Sequence, residues 1–212
     1  NLDYQNVDHD QHFDNPNLFD KSWYDLNDIF SSAKSFPIWN DGESYVMSIT
    51  AEAQTMFANQ NMLDAVGAGI PTTFDELLST GKKLKSGDVA GVAMRSKADG
   101  SAGTWPCGGF VFSNGGVVIQ DGKCMLDSPE AIEAVQYYGS ILNEAGPLGV
   151  GNYHWYECLN DYMQEAVAIG LDSSNFATDI ENPEKSNAAG HTTYGAMVSG
   201  PGKQAKPNMW HW

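Results

Sequence analysis

The 212-residue chain is poor in basic side chains, with 11 Lys and Arg against 27 Asp and Glu and a formal net charge of −16. A protein this acidic repels phosphate backbones and anionic lipid headgroups, so its charge disfavours nucleic acid and membrane surfaces as partners. Long apolar runs are also missing, because no stretch approaches the roughly 18 residues of a membrane-spanning helix. We therefore expect a globular protein that binds no nucleic acid.

Neither cysteine nor a leader sequence identifies the compartment. Cys107, Cys124 and Cys158 form no CxxC pair. Their odd number indicates small apolar core side chains, with one disulfide and a free thiol as the alternative. The N-terminus has neither the basic nor the apolar segment of a secretory signal. Since the first residue is not Met, we expect a processed protein or a piece of a longer one.

Common catalytic and metal-binding motifs are absent. The sequence has no GxSxG turn, HExxH pair, P-loop or GxGxxG fingerprint after a strand. Residues 8–12, which contain Asp and His, lack the glycine and the terminal Glu of an EF-hand loop, so we interpret them as a solvated loop. Carboxylates are plentiful enough for a glycosidase-type pair, but nothing in the sequence brings two of them together. The sequence therefore predicts no catalysis, no metal and no cofactor.

Helix and strand signals alternate along the chain. Thr73 and Glu76, three residues apart, form a capping box that predicts a helix over 73–85. A Ser-Pro dipeptide likewise predicts a helix over 129–144. This alternation indicates an α/β layered fold, in which the Gly- and aromatic-rich segment 100–114 is assigned no element. Apolar patterning predicts the remaining elements: strands at 45–50, 54–58, 91–96, 166–171 and 193–198, helices near 22–34, 61–65 and 155–165, and a hairpin over 115–122.

Aromatic and polar side chains cluster at the ends of the predicted strands and in the segments between them. Ligands of open α/β sheets bind beyond the carboxyl ends of strands. A carbohydrate requires flat aromatic faces for its C–H surface and planar polar groups for its hydroxyls. Each residue also has an ordinary interpretation, such as a core tryptophan, a surface ion pair or the N-cap of a following helix. The candidate ligand-binding residues are Arg95, Trp105, Trp155, Asp172, Ser174, Asn175 and Trp210.

Six segments follow one another in a specific order and spacing: TMFANQNMLDAVGAGIPTTFDELL, GVAMRSKADGSAGTWP, SNGG, LDSPEAIEAVQYY, NYHWYECLNDYMQEAVAIGLDSSNFA and YGAMVSGPG. With them, residues 45–212 resemble family 1 of the extracellular solute-binding proteins of ABC importers. This is the maltose-binding-protein-like group, and the Trp-Pro spacing resembles its sugar- and polyol-binding branch.

The resemblance implies a periplasmic-binding-protein type II fold, in which two α/β lobes close on a ligand about a hinge. On this basis residues 1–47 are a remnant of the first lobe and 48–53 the first hinge crossover. Residues 54–207 are then a nearly complete second lobe, and 208–212 are the return crossover. Because members of the family are considerably longer, the resemblance also implies that the chain is a fragment.

The resemblance also implies roles for individual residues. Glu52, just after the first hinge, is expected to accept sugar hydroxyls. Trp105 and Trp155 stand at positions where the family places cleft aromatics. Asn175 stands where many members have Trp, which favours hydrogen bonding over stacking there. Trp210 lies at the return hinge, where many members have a Gly-rich turn instead.

The function implied by the resemblance is the substrate-binding component of an ABC transporter. It would capture a sugar or polyol in an interlobe cleft and deliver it to the membrane permease subunits. Its location would be periplasmic or extracellular, with a lipoprotein anchor compatible with the full-length protein. The alternatives are a glycoside-active enzyme fragment, a binding protein for a non-sugar solute, and an interaction domain that has lost its cleft partner.

Overall fold

The computed structural model describes residues 28–35, 38, 41–42, 50–99 and 104–211. The chain divides into two units, Ala53–Asn208 and a second made of Asn1–Glu52 with Met209–Trp212. Most of the described elements belong to the first unit. Among the described residues, no helix combines the length and the apolarity that crossing a bilayer requires.

The described elements alternate between helix and strand, as expected for an α/β protein. Two 3₁₀ turns, Val150–Asn152 and Ser174–Phe176, flank the sixth helix and the fifth strand. The helices are α1 Ser31–Ser35, α2 Gln60–Ala65, α3 Phe74–Leu84, α4 Thr104–Ser113, α5 Pro129–Ala145, α6 Trp155–Met163 and α7 Ala177–Ile180. The strands are β1 Ala51–Asn59, β2 Ala90–Ala93, β3 Ile119–Gln120, β4 Lys123–Cys124, β5 Val167–Ser173, β6 Thr192–Gly195 and β7 Met209–His211.

The main sheet has the strand order β2-β5-β1-β6, and β7 also pairs with β1. β2 and β5 run parallel, whereas β1 runs antiparallel to both β5 and β6. Helices α3 and α5 pack on β2, and α6 packs on β5. This mixed sheet with packed helices confirms the predicted α/β class.

Apolar side chains of β1 alternate between two buried clusters. Met56 and Ala58 belong to the main core with residues of α3, α5 and β5. Phe57, between them, belongs to a second cluster with Leu159 and Tyr162 of α6, and its ring meets that of Tyr162 edge-on at 4.7 Å. Since successive side chains of a strand face opposite sides, the sheet is covered on both faces.

The helix starts predicted from capping residues are confirmed. The Thr73 hydroxyl accepts a hydrogen bond from the Glu76 amide at 3.2 Å, and the Glu76 carboxylate accepts one from the Thr73 amide at 3.3 Å. Hydrogen bonds from Thr72, of which the hydroxyl's has the largest effect, lower the pKa of Glu76 from its ordinary value. At α5, the Ser128 hydroxyl accepts a hydrogen bond from the Ala131 amide.

Several predicted boundaries differ from the structure. The strand predicted over 91–96 ends at Ala93, and the one predicted over 193–198 ends at Gly195. The helix predicted over 22–34 lies mostly outside the described residues, and residues 28–30 precede the short helix α1 rather than belonging to it. The strand predicted over 45–50 also falls largely outside the described residues.

The segment without an assigned element contains a helix, α4. Pro106 is tolerated because it lies in the first turn, where the missing amide has no helical partner. Gly108 and Gly109 disfavour a helix by propensity alone. A Cβ at Gly109 would lie 1.8 Å from Gln54 Oε1, so this glycine permits the close approach of the helix to β1.

The hairpin predicted over 115–122 is confirmed with short strands. β3 and β4 pair antiparallel, with Gln120 opposite Lys123. Asp121 and Gly122 between them have φ values of 51° and 72°. A two-residue turn with both φ angles positive matches the twist of the flanking strands.

We expect Gly91→Ala to lower the free energy of unfolding by about 3 kcal/mol, the upper range for overpacking. The new Cβ would lie 1.9 Å from the Gly81 carbonyl oxygen, and a backbone atom of a packed helix yields less than a side chain. Urea unfolding followed by circular dichroism measures this change. The matched control is Gly139→Ala within α5, where a Cβ meets nothing within 4 Å. Its helix propensity should raise stability by about 0.5–1 kcal/mol, and equal effects at both sites would contradict the close approach.

Candidate functional site

Arg95 and Asp172 form a bidentate ion pair in which the carboxylate is buried and the guanidinium is half-buried. Arg95 Nε donates to Asp172 Oδ2 at 2.8 Å, and Nη2 donates to Oδ1 at 2.5 Å. The Asp172 side chain is 1% exposed, against 14% for Arg95. The Ser173 amide also donates to Asp172 Oδ1 at 2.7 Å. Charge-assisted bonds from a planar fork fix the direction of the guanidinium as well as its position.

The parallel pairing of β2 and β5 brings these two residues together. Their register sets Val92 opposite Ile169 and Ala93 opposite Gly170. Two residues further along each chain, the same register reaches Arg95 and Asp172. The ion pair therefore lies at the carboxyl edge of the two parallel strands, where open α/β sheets bind their ligands.

Trp105, in the first turn of α4, covers the guanidinium. The central carbon of the Arg95 guanidinium lies 4.8 Å from the centre of the indole ring. A cation over an aromatic face is attracted by the ring quadrupole. Trp105 is only 5% exposed, and its Nε1 has no hydrogen-bond partner among the described residues. The site thus combines a held cation with an indole donor that has no partner in the described part of the chain.

The first turn of α4 is held in place by Gln54 and Asn208. Gln54 Nε2 donates to the Pro106 carbonyl at 3.0 Å, and Asn208 Nδ2 donates to the Trp105 carbonyl at 3.0 Å. The Asn208 amide donates in turn to Gln54 Oε1, and the Gln54 amide donates to the Asn208 carbonyl. Gln54 is 2% exposed. Gln54 was not among the predicted site residues. The sequence signal for it is a glutamine within the apolar β1 segment, but its partner Asn208 lies 154 residues away.

Trp155 belongs to a second aromatic group at the start of α6. Its side chain is 41% exposed and lies 5.3 Å from Tyr156 and 6.1 Å from Phe176, measured between ring centres. His154 caps the helix, since its Nδ1 accepts a hydrogen bond from the Trp155 amide at 2.8 Å. Trp155 therefore presents an open aromatic surface, unlike the covered Trp105.

The loop after β2 is tied to the start of α6. The amides of Ser96 and Lys97 both donate to the Tyr153 carbonyl at 2.9 Å. The Ser96 hydroxyl donates to the Val150 carbonyl, and the Tyr138 hydroxyl donates to the Arg95 carbonyl. Backbone hydrogen bonds thus connect the chain that carries Arg95 to the turn before Trp155.

The other predicted site residues are Ser174, Asn175, Glu52 and Trp210. The Ser174 hydroxyl accepts a hydrogen bond from the Ala53 amide at 3.1 Å. Asn175 is exposed, and its amide donates to the Ser173 hydroxyl, which caps the 3₁₀ turn. Glu52 is half-buried and, like Trp210, belongs to the second unit. The backbone of Trp210 lies in β7, and its side chain is outside the described part.

Within the described part of the chain, no group of three or more His, Cys, Asp or Glu side chains could hold a metal ion. Among the described residues, the carboxylate at the centre of the site is paired with a cation, whereas glycoside hydrolysis uses two carboxylates. Cys107, Cys124 and Cys158 are free thiols. Burial raises the pKa of Cys158, whereas Cys124 is exposed, so the predicted core position holds for the first and not for the second.

The chain belongs to the bacterial extracellular solute-binding proteins, whose family pattern matches residues 8–210. This class is defined by the binding of a solute, and the α/β sheet with polar and aromatic groups at its carboxyl edge is consistent with it. A binding protein of Brucella abortus (strain 2308) is 24% identical over 150 residues, which are 66% of this chain and 35% of the relative.

Solved structures confirm the fold. An ABC transporter solute-binding protein of Agrobacterium vitis S4 with bound D-mannitol is 20% identical, with a TM-score of 0.76 over 82% of this chain and 43% of the other. One from Agrobacterium radiobacter K84 in complex with ribitol is 24% identical, with a TM-score of 0.79 over 87% and 48%. Maltose-bound MalE3 of T. maritima is 20% identical, with a TM-score of 0.80 over 90% and 49%. The chain thus spans less than half the length of each of these proteins.

We expect Gln54→Leu to lower the free energy of unfolding by about 1–3 kcal/mol, because the Pro106 carbonyl and the Asn208 amide would lose their partner. Thermal and urea unfolding measure the loss. Gln60→Leu is the matched control, since that amide donates to Asp64 at an exposed surface. It should change stability by less than about 0.5 kcal/mol. Similar losses in both variants would show that the hydrogen bonds between Gln54 and its partners Pro106 and Asn208 make no specific contribution to stability.

Proposed function

We propose that this protein is the substrate-binding component of an ABC importer and captures a sugar or polyol. The observation that carries the proposal is the group of donors at the carboxyl edge of the sheet. There the Arg95 guanidinium is fixed by Asp172, and the indole Nε1 of Trp105 lacks a partner among the described residues. Family membership supports the transport role. The mannitol, ribitol and maltose held by structural neighbours support the class of ligand.

The chemistry of such a ligand fits the two aromatic groups differently. A sugar or polyol offers hydroxyl oxygens to donors and C–H surfaces to aromatic rings. Arg95 and the edge of Trp105 would supply donors, because the guanidinium already covers the indole face. Trp155, with its open surface, would supply the stacking contact. Ser174 and Asn175 lie two and three residues after Asp172 and would bind further hydroxyls.

The lobe assignment is part of the same proposal. Residues 1–47 would belong to the first lobe and 54–207 to the second, with crossovers at 48–53 and 208–212. The division of the chain at Glu52 and after Asn208 supports these crossovers, because both points fall in or beside them. Glu52 and Trp210 would then contribute to ligand binding from the crossover segments.

Closure on the ligand would give the permease a surface to recognise. A ligand that binds the closed form better shifts the protein towards that form by its difference in affinity. The ABC permease subunits would be the protein partners of the full-length protein, with no nucleic acid involved. The location would be periplasmic or extracellular, and membership of the bacterial extracellular solute-binding proteins supports this location.

We expect the full-length protein to bind at least one of D-mannitol, ribitol and maltose, and Trp155→Ala to weaken that binding. Removing an aromatic contact should cost about 1–3 kcal/mol, or roughly five-fold to 150-fold in Kd. Isothermal titration calorimetry measures the affinities. Trp155→Phe should lose less, because it keeps a ring.

Ile132→Ala is the control for the loss of an exposed apolar side chain, since Ile132 is 47% exposed on α5 and is not a candidate site residue. This control should bind as the unaltered protein does. A full-length protein that ignores a panel of sugars and polyols but binds an amino acid, a peptide or a metal would overturn the ligand assignment.

A further inference from the structure

We propose that Asp172 is a positioning residue that makes this site select neutral over anionic solutes. It acts through Arg95, whose direction it fixes and whose charge it balances. The inference rests on the proposed function and adds to it the charge class of the sugar or polyol. It also changes the role of Asp172 from a candidate ligand-binding residue to a group that prepares a donor.

The carboxylate of Asp172 binds donors of the protein itself. Both carboxylate oxygens of Asp172 accept hydrogen bonds from Arg95, and Oδ1 accepts a further one from the Ser173 amide. The side chain is 1% exposed, so this carboxylate is hydrogen-bonded to donors of the protein and not to solvent. A solute at the edge of the sheet would therefore meet Arg95 rather than Asp172.

Arg95 has N–H donors that do not bind Asp172. A guanidinium carries five N–H groups, and two of them bind Asp172. The others have no hydrogen bond to a described residue, and the side chain keeps 14% of its surface exposed. Trp105 covers one face of the guanidinium, so the free donors lie at its rim.

The charges of Arg95 and Asp172 balance each other. A lone buried guanidinium is a strong site for a carboxylate or a phosphate. Here Asp172 satisfies that demand from within the protein, so the pair is neutral as a unit. An anionic solute would compete with Asp172 for the same fork and would also meet the field of a chain with net charge −16. A hydroxyl oxygen needs only the free donors and disturbs neither.

The test compares neutral ligands with their carboxylate counterparts on the full-length protein by isothermal titration calorimetry. The pairs are D-mannitol with D-mannonate, ribitol with ribonate, and maltose with maltobionate. For each pair of which the unaltered protein binds a member, we expect the neutral compound to bind at least ten-fold tighter than its carboxylate counterpart. In Asp172→Asn this preference should fall at least ten-fold, because the charge of Arg95 is then unbalanced. Asp172→Glu, which restores the carboxylate, should restore the preference.

Glu144→Gln is the matched control. It breaks the ion pair between Glu144 and Lys82 and changes the net charge by the same amount. Lys82 lies in the last turn of α3, which leads into the amino end of β2, at the opposite end of that strand from Arg95. This variant should leave the preference unchanged. An equal shift in both variants would assign the effect to overall charge and overturn the proposal.

If circular dichroism shows that Asp172→Asn does not fold, Arg95→Lys is the second variant to test. Lysine keeps the charge next to Asp172 but lacks the fork. The neutral ligand should then bind at least ten-fold more weakly, while the preference for it over the carboxylate stays. Neutral binding as tight as that of the unaltered protein would overturn the proposal.

Failure of the proposed function and failure of this inference give different experimental results. If the unaltered protein binds no member of any pair, the sugar or polyol assignment is wrong and the inference falls with it. If it binds a neutral member but Asp172→Asn keeps the full preference, only the role of Asp172 is wrong. An unaltered protein that prefers the carboxylate member likewise overturns the inference and leaves the transport role in place.

Discussion

Burial of the Asp172 carboxylate is the constraint on which the site depends. An ionised carboxylate taken out of water requires a partner of opposite charge with good hydrogen-bond geometry, since an unpaired buried charge is strongly destabilising. Arg95 supplies it, and it can do so only because β2 and β5 are parallel neighbours with their carboxyl ends together. The ion pair is thus a consequence of strand order, and it fixes the chain that leaves β2.

A second dependence runs from β1 to α4. The buried amide of Gln54 must be satisfied, and its partners are the Pro106 carbonyl and the Asn208 amide. These bonds need the backbone of α4 close to β1, which Gly109 allows. Trp105 then lies over the guanidinium of Arg95. A polar residue in the middle of the sheet therefore sets the position of an aromatic residue at its edge.

The parts of this structure that depend on neighbouring residues could be predicted from the sequence. Helices α3 and α5 begin where Thr73 and Ser128 cap them, because a capping side chain and its amide partner are three residues apart. Helix α4 could not be predicted in this way, since Gly109 disfavours a helix unless its contact with Gln54 is known. Strand ends likewise indicated Arg95 and Asp172, but their direct pairing depends on register between segments 77 residues apart.

In the proposed function, the two tryptophans would contribute differently to recognition because their exposure differs. Trp105 is 5% exposed and already covered by a cation, so a ligand there would gain a hydrogen bond to Nε1 but would displace little water from the ring. Trp155 is 41% exposed, and covering it would remove apolar surface from water at roughly 25 cal/mol per Å². The Arg95–Asp172 pair would then supply direction and charge selection, and the open ring would supply most of the hydrophobic gain. Because these contributions would come from different parts of the chain, specificity and affinity would be able to change separately.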